Sequence, residues 1–267
     1  MEQLVLLLGA GPLTIDEVQA GKYRTAKYFL KDDPEPDLET PFVGEAIVRL
    51  HEGRFDAVHI FGTAGSIWDV LLRHAGDPLK DETYEELLTL ADQDAPERFP
   101  GSLRERIQSR VGEQLGTRVE PHLLPIGRTQ EEYLEMLRRL ADLDIREGTV
   151  SIDVTHALRS QSVFLFIALI YLRAVHDQLS LGSVFYGANA IAQEHFDGRT
   201  PIFDLRPMAQ MLDWIDAAQA FDRHGDAAPL SRLLDQEGGE AMDEVAKRAR
   251  YVSQVLQLNT LSNIEAN

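Results

Sequence analysis

Apolar residues along this chain follow two periods in alternation. Short runs that stop at glycine or a polar turn read as strands buried on both faces. These are Leu4–Leu8 before Gly9-Ala10-Gly11-Pro12, Ala57–Phe61 before Gly62, Val150–Val154, and Leu181–Tyr186 before Gly187. Val119–Leu124 reads as a further strand. Between them the period lengthens. Phe42, Val43, Ala46, Ile47 and Leu50 share one face of a helix over Phe42–Leu50. Ile67–Leu72, Tyr84–Leu90, Leu103–Leu115 and Tyr133–Leu140 read as helices too, and the apolar Val163–Leu172 as a buried one. The stretch between Asp92 and Pro100 reads as a loop, and the acidic, proline-rich Asp32–Glu39 as a mobile surface loop. Ala192–Phe196 and Pro201–Leu205 flank Asp197-Gly198, a hairpin signal.

Alternating strands and helices predict an α/β fold of Rossmann-like type: a mainly parallel sheet with helices on both faces, over residues 1–205. From Arg206 the pattern is helical only. Met208–Phe221 is one helix anchored by Trp214 and Phe221, Asp222–Pro229 a turn, and Ala241–Ile264 another helix. Residues 206–267 therefore form linker helices after the sheet domain.

Composition narrows the function. The 267 residues carry 26 basic and 44 acidic side chains, a formal charge of −18, and 44% hydrophobic residues. Such a chain has ample core but lacks the basic surface that broad binding of nucleic-acid backbones demands. A local anion site built from backbone N–H groups stays open. Without cysteine there are no disulfides, thiolate nucleophiles or Cys-bound metals. Met1-Glu2-Gln3 lacks the basic start of a secretory signal, and Val163–Leu172, bracketed by Arg159 and Arg173, is about half the length needed to span a bilayer. The expectation is a cytoplasmic protein with no cofactor, no metal and no membrane or DNA partner.

In an open parallel sheet, ligands sit beyond the carboxyl ends of the strands. The residues there are Gly9–Thr14, Gly62–Ser66, Asp153–Arg159 and Gly187–Asn189: small, hydroxylic or amide residues with one histidine and one arginine. Small residues let a ligand approach the backbone, and hydroxyls and amides suit phosphates and nucleobases. The candidate ligand contacts are Gly11, Thr14, Thr63, Ser66, Thr155, His156, Arg159 and Asn189, with Asp153 orienting its loop. Each has a structural alternative. Gly9-Ala10-Gly11 is a partial dinucleotide fingerprint with Thr14 in place of its third glycine, or only a tight turn. Thr63, Ser66 and Thr155 cap helices equally well, and His156 fits a core position. Arg159 is harder to place structurally, because a cation in a first helical turn opposes the dipole unless an anion lies nearby.

Asp153-Val154-Thr155-His156-Ala157-Leu158-Arg159-Ser160 resembles the DxTHG motif of CRISPR-associated proteins with a CARF domain. Tyr23–Tyr28 resembles the family's Y-x-x-T-x-Y segment, Gly62–Asp69 its GT-x-x-S-x-W-D segment, and Val184–Ala188 its Y-G strand end. Asp204-Leu205, Trp214 and Phe221–Asp226 resemble the start of its helical linker. The motifs occur in order over nearly the whole chain. The resemblance implies a homodimer that binds cyclic oligoadenylate, tetra- or hexa-adenylate, across its two-fold axis, and that activates an effector such as a HEPN ribonuclease or a deaminase. Two positions depart from the pattern: Ala157 replaces the motif's glycine, and Ser162 a frequent proline. The one R-x4-H spacing noted, Arg54 to His59, runs into a strand and reads as chance, so residues 206–267 supply no ribonuclease pair. The expectation is a sensing chain, not itself catalytic, whose effector lies outside it. Two alternatives stand beside it. One is a metal-independent ring nuclease using Thr14, Ser66, His156 and Arg159. The other is a dinucleotide enzyme binding NAD through Gly9 and Gly11. A transcription factor is disfavoured by the absence of a basic C-terminal helix pair.

Overall fold

The uninterrupted apolar runs become strands β1 (Glu2–Leu7), β4 (Ala57–Gly62), β5 (Arg118–Leu123), β6 (Glu147–Asp153) and β7 (Gln178–Gly187) of one sheet. The structure, a computed structural model, describes residues 1–9, 25–143, 145–156 and 158–265, with the backbone alone at 240 and 257–265. β2 (Ala26–Leu30), β3 (Asp33–Thr40) and β8 (Thr200–Asp204) complete an eight-stranded sheet in the order β3-β2-β8-β7-β6-β1-β4-β5. From β5 to β7 the five strands run parallel. β8 returns antiparallel to β7, β2 runs parallel to β8, and β3 reverses again.

Side-chain alternation sorts the helices. Leu4 and Leu6, Val58 and Ile60, Val119 and Leu123 turn to one face and join a core with α1 (Val43–Leu50), α2 (Trp68–His74), α3 (Asp81–Ala91) and α4 (Leu103–Leu115). The residues between them, Val5, Leu7 and Phe61, face the other way and are equally buried outside that cluster. The remaining helices of the parallel half are α5 (Gln130–Ala141) and α6 (Arg159–Val175). α5 packs on α6, with the rings of Tyr133 and Phe164 5.7 Å apart. Helix ends follow local chemistry. Thr129 caps α5 by accepting from Glu132 N while Glu132 takes the N–H groups of Gly127 and Arg128. Gly116 closes α4 in the left-handed region at φ 68°.

Three expectations need correction. Asp32–Glu39 is not a loop: Asp33–Thr40 is edge strand β3, antiparallel to β2. An edge tolerates Pro34 and Pro36 because its outer N–H groups need no partner, and its charge discourages further strands. Tertiary ion pairs hold it: Lys27 with Asp37 at 2.9 Å, and Arg199 with Glu35 at 3.1 Å while its guanidinium covers the Phe29 ring. Ala192–Phe196 is not a hairpin arm. Ala192–His195 is a one-turn helix, α7, after a 3-10 turn over Asn189–Ile191, and β8 pairs with β7 instead. The turn expected at Asp222–Pro229 ends early, because α9 (Ala228–Glu237) begins within it with Pro229 in its first turn.

By packing the chain divides into Met1–Leu205 and Arg206–Asn267. The second unit holds α8 (Arg206–His224), α9 and α10 (Glu240–Glu265). Small residues bring α9 and α10 together: Ala227 and Ala246 are fully buried, Ser231 Oγ donates to Ala246 O at 3.2 Å, and Ser253 Oγ to Gly225 O at 2.7 Å. Among the described residues no helix is long and apolar enough to cross a membrane.

Candidate ligand site at the strand tips

The chain builds β1, β4 and β5 outward on one side, then crosses back to lay β6 and β7 on the other side of β1. The order reverses between β1 and β6, so the crevice of an open parallel sheet lies beyond the carboxyl ends of these two strands. Leu8-Gly9 ends one wall and Asp153–His156 the other. Gly11 and Thr14, and with them the Tyr23-Arg24 start of the aromatic motif, lie outside the described residues, as does Ala157.

The tip of β4 is stitched to the tip of β1. Ser66 Oγ donates to Leu8 O at 2.9 Å and accepts from Thr63 N at 2.9 Å, so its hydroxyl is occupied within the fold. Ile67 N donates to Gly9 O at 3.2 Å, and the Trp68 indole N–H to Thr63 O at 2.9 Å. Gly62 is dictated by this packing, since a Cβ there would lie 2.6 Å from Trp68 Cζ2. Ser66 therefore does not cap α2, whose N-cap is Ile67 without a side-chain bond. Half-buried Thr63, its hydroxyl 3.3 Å from Ser66 Oγ, forms the outer part of this turn.

A second stitch joins β6 to β7. Asp153 is 1% exposed and accepts from both Thr155 N, at 2.9 Å, and Thr155 Oγ1. The same hydroxyl accepts from Gly187 N at 2.7 Å. Burial pushes the Asp153 carboxyl above the usual aspartate range, against the hydrogen bonds of Thr155 and the charge of His156. Burial, and then the nearby Asp153, pushes the Tyr28 phenol up to about 12. Thr155 does not cap α6 either; that N-cap is Leu158, with no side-chain bond. A Cβ on Gly187 would come within 2.9 Å of Val43, so this tip too is closely packed.

What remains on the surface is His156, Arg159 and Asn189. His156 is exposed, not a core residue. Arg159 is the first residue of α6, exposed, and without a hydrogen bond or ion pair among the described residues. The first turn of α6 holds no acidic residue. The N-terminus of α6 and the exposed Arg159 guanidinium are thus neighbours in the chain, a pairing suited to a phosphate. Asn189 is exposed, and its Oδ1 accepts from buried Thr200 at 3.2 Å. Sequence reasoning missed Thr200 because nothing in a residue following Asp197-Gly198-Arg199 shows that it will bury beside another strand's tip. It also missed Gln161, whose amide donates to Ile126 O at 3.1 Å and fixes the segment after β5 against α6.

The α6 run is buried on one side only. Leu165, Ala168, Leu169 and Leu172 pack inward, while Val163 (60%), Ile167 (56%), Tyr171 (50%) and Val175 (50%) form an exposed apolar stripe at four-residue spacing. It starts one turn after Arg159. The helix expected to be buried is thus covered on one side only among the described residues.

Arg54 and His59 do not converge. Arg54 pairs with Glu2 at 2.8 Å and donates to Ser183 Oγ at 2.7 Å. His59 is buried, with Nδ1 3.0 Å from His122 Nε2 and Nε2 2.7 Å from Gln3 Oε1. Among the described residues no group of three His, Cys, Asp or Glu is placed to hold a metal.

Two comparisons with known proteins give what the chain is similar to. Residues 210–267 match a family described as the second domain of CRISPR-associated protein MJ1674. The chain is also similar to CRISPR-associated protein MJ1674 of Methanocaldococcus jannaschii, at 23% identity over 94% of this chain. It spans 41% of that relative's length.

Proposed function

We propose that residues 1–205 are a CARF-type sensor, which binds a cyclic oligoadenylate at the strand tips across a homodimer and through residues 206–267 regulates an effector in CRISPR antiviral defence. The similarity to a CRISPR-associated protein along 94% of the chain supports the setting. The observation that carries the reading is the juxtaposition on α6. The exposed stripe Val163–Ile167–Tyr171–Val175 begins one turn beyond unpaired Arg159, which itself follows exposed His156 by three residues. Two copies paired along that stripe about a two-fold axis present the tips twice, and a cyclic ligand with an even number of identical nucleotides matches that symmetry. The crevice holds phosphates with backbone N–H groups and one arginine in a chain whose net charge is −18.

Within this site the roles divide. Asp153, Thr155 and Ser66 set the shape of the tips through internal hydrogen bonds. Thr63, His156, Arg159 and Asn189 reach the ligand. A dinucleotide enzyme has less support, because the second parallel strand, β4, ends in Gly62-Thr63 and offers no carboxylate for a ribose.

The test is calorimetric titration of the purified chain with cyclic tetra-adenylate and cyclic hexa-adenylate, alongside sedimentation. One ring bound per two chains is the expected result. No heat from either ring, or a monomer at all concentrations, overturns the reading. Chromatography of the ring after incubation separates a sensor from a ring nuclease: intact ring supports the former, linear product the latter.

A further inference from the structure

We propose that β8 is the strand that carries the state of the tips to residues 206–267, with Thr200 as its positioning residue at the ligand end; this rests on the sensor reading above. β8 runs antiparallel to β7 with Ile202 opposite Gly187 and Asp204 opposite Phe185, so its first residue extends past the carboxyl end of β7 and its last lies two residues inside that end, where the chain leaves the sheet. Thr200, fully buried, donates to exposed Asn189 at 3.2 Å, and Ala188 N donates to Pro201 O at 2.9 Å. A ligand that engages Asn189 therefore acts on the start of β8 through one hydrogen bond.

The far end of the strand is held by a different chemistry. Asp204 accepts from Ser183 Oγ at 2.7 Å, and that oxygen accepts from Arg54 at 2.7 Å. Arg54 is paired with Glu2 at 2.8 Å, and Glu2 accepts from Ser151 Oγ at 2.6 Å. This polar lattice ties β8 to β1, β6 and β7 at the point where the chain, after Leu205 N bonds Val184 O at 2.7 Å, continues into Arg206. Hydrogen-bonded ends change by exchange of partners, whereas packed apolar cores resist small shifts. An extended strand is stiff along its length, so a shift at Thr200 appears at Asp204.

The experiment is hydrogen exchange by mass spectrometry on the full chain with saturating cyclic tetra-adenylate and, in parallel, cyclic hexa-adenylate. In the unaltered protein, amides of 153–156, 158–160 and 187–191 slow, and those of 200–224 slow by about tenfold, a coupling of ordinary size. In Thr200→Val the tips still slow but 200–224 keeps its unliganded rate; Thr200→Ser restores the response. Asn189→Ala, at saturation, breaks the same bond from the exposed side without touching the interior and loses the response likewise. Protection at the tips with 200–224 unmoved, or a response that survives in Thr200→Val, overturns the role of β8 and leaves the sensor standing. No protection anywhere with either ring overturns both.

Discussion

Arg159 and Thr155 show how neighbours in sequence take opposite tasks. Arg159 has no partner among the described residues, so Arg159→Ala removes no hydrogen bond or ion pair among them. It is expected to weaken ring binding about tenfold, the size of one charge-assisted bond, with melting temperature unchanged. Titration and a thermal melt check both halves. Thr155 is tied to Asp153 and Gly187. Thr155→Val leaves two buried polar groups short of a partner and costs about 1–3 kcal/mol in denaturant unfolding, and Thr155→Ser recovers most of it. The histidine pair gives a third residue-level expectation. Burial holds His59 at about 4, and burial with the neighbouring His59 holds His122 at about 3. Both lie below the unfolded value of 6.5, so the unfolded chain binds protons first. Stability from this pair is complete above 6.5 and falls by up to about 1.4 kcal/mol per pH unit per histidine as pH drops toward 4. His122→Gln is expected to make the fall shallower. Unfolding measured across that range for both proteins isolates the difference, because shifts at Asp153 and Glu45 occur in each.

At the scale of the element, α6 makes the sharpest statement. Ile167 is 56% exposed in the single chain, so Ile167→Glu is expected to leave the fold intact while abolishing the dimer and ring binding together. Sedimentation and circular dichroism decide; a dimer that survives the charge would place the interface elsewhere. Elements also differ in how far their sequences announce them. Leu103–Leu115 is read to the residue because apolar spacing and the following Gly116 act within a few bonds. The strands ending in Gly62 and Gly187 are legible because runs buried on both faces admit few polar side chains. β2 and β3 are not legible. Their strand state depends on β8 alongside and on Arg199, more than 160 residues away in sequence, bonding Glu35.

For the molecule as a whole, charge sets the behaviour toward an anionic ligand. At −18 the chain repels a ring of phosphates at a distance. Raising salt from about 0.05 to about 0.5 M is therefore expected to speed association, the reverse of a basic nucleic-acid binder. Stopped-flow association rates at the two salts test this. The sequence by itself determined the α/β alternation, the change to helices alone after Leu205, and the small, hydroxylic character of the strand ends, because period, glycine placement and residue size act locally. It also pointed to Asp153–Arg159 as one segment with chemistry in it. Only the tertiary structure decided the strand order, and with it the reversal between β1 and β6 that makes a crevice. Only there does Ser66 bond Leu8 and Thr155 bond Gly187, so that two hydroxyls equally eligible as ligand contacts become internal struts. The exposed stripe of α6 and the reach of Thr200 to Asn189 belong to the same class. Which side of an all-apolar helix stays uncovered, and which buried hydroxyl meets a distant amide, depends on contacts between segments far apart in the chain, and no local pattern encodes them.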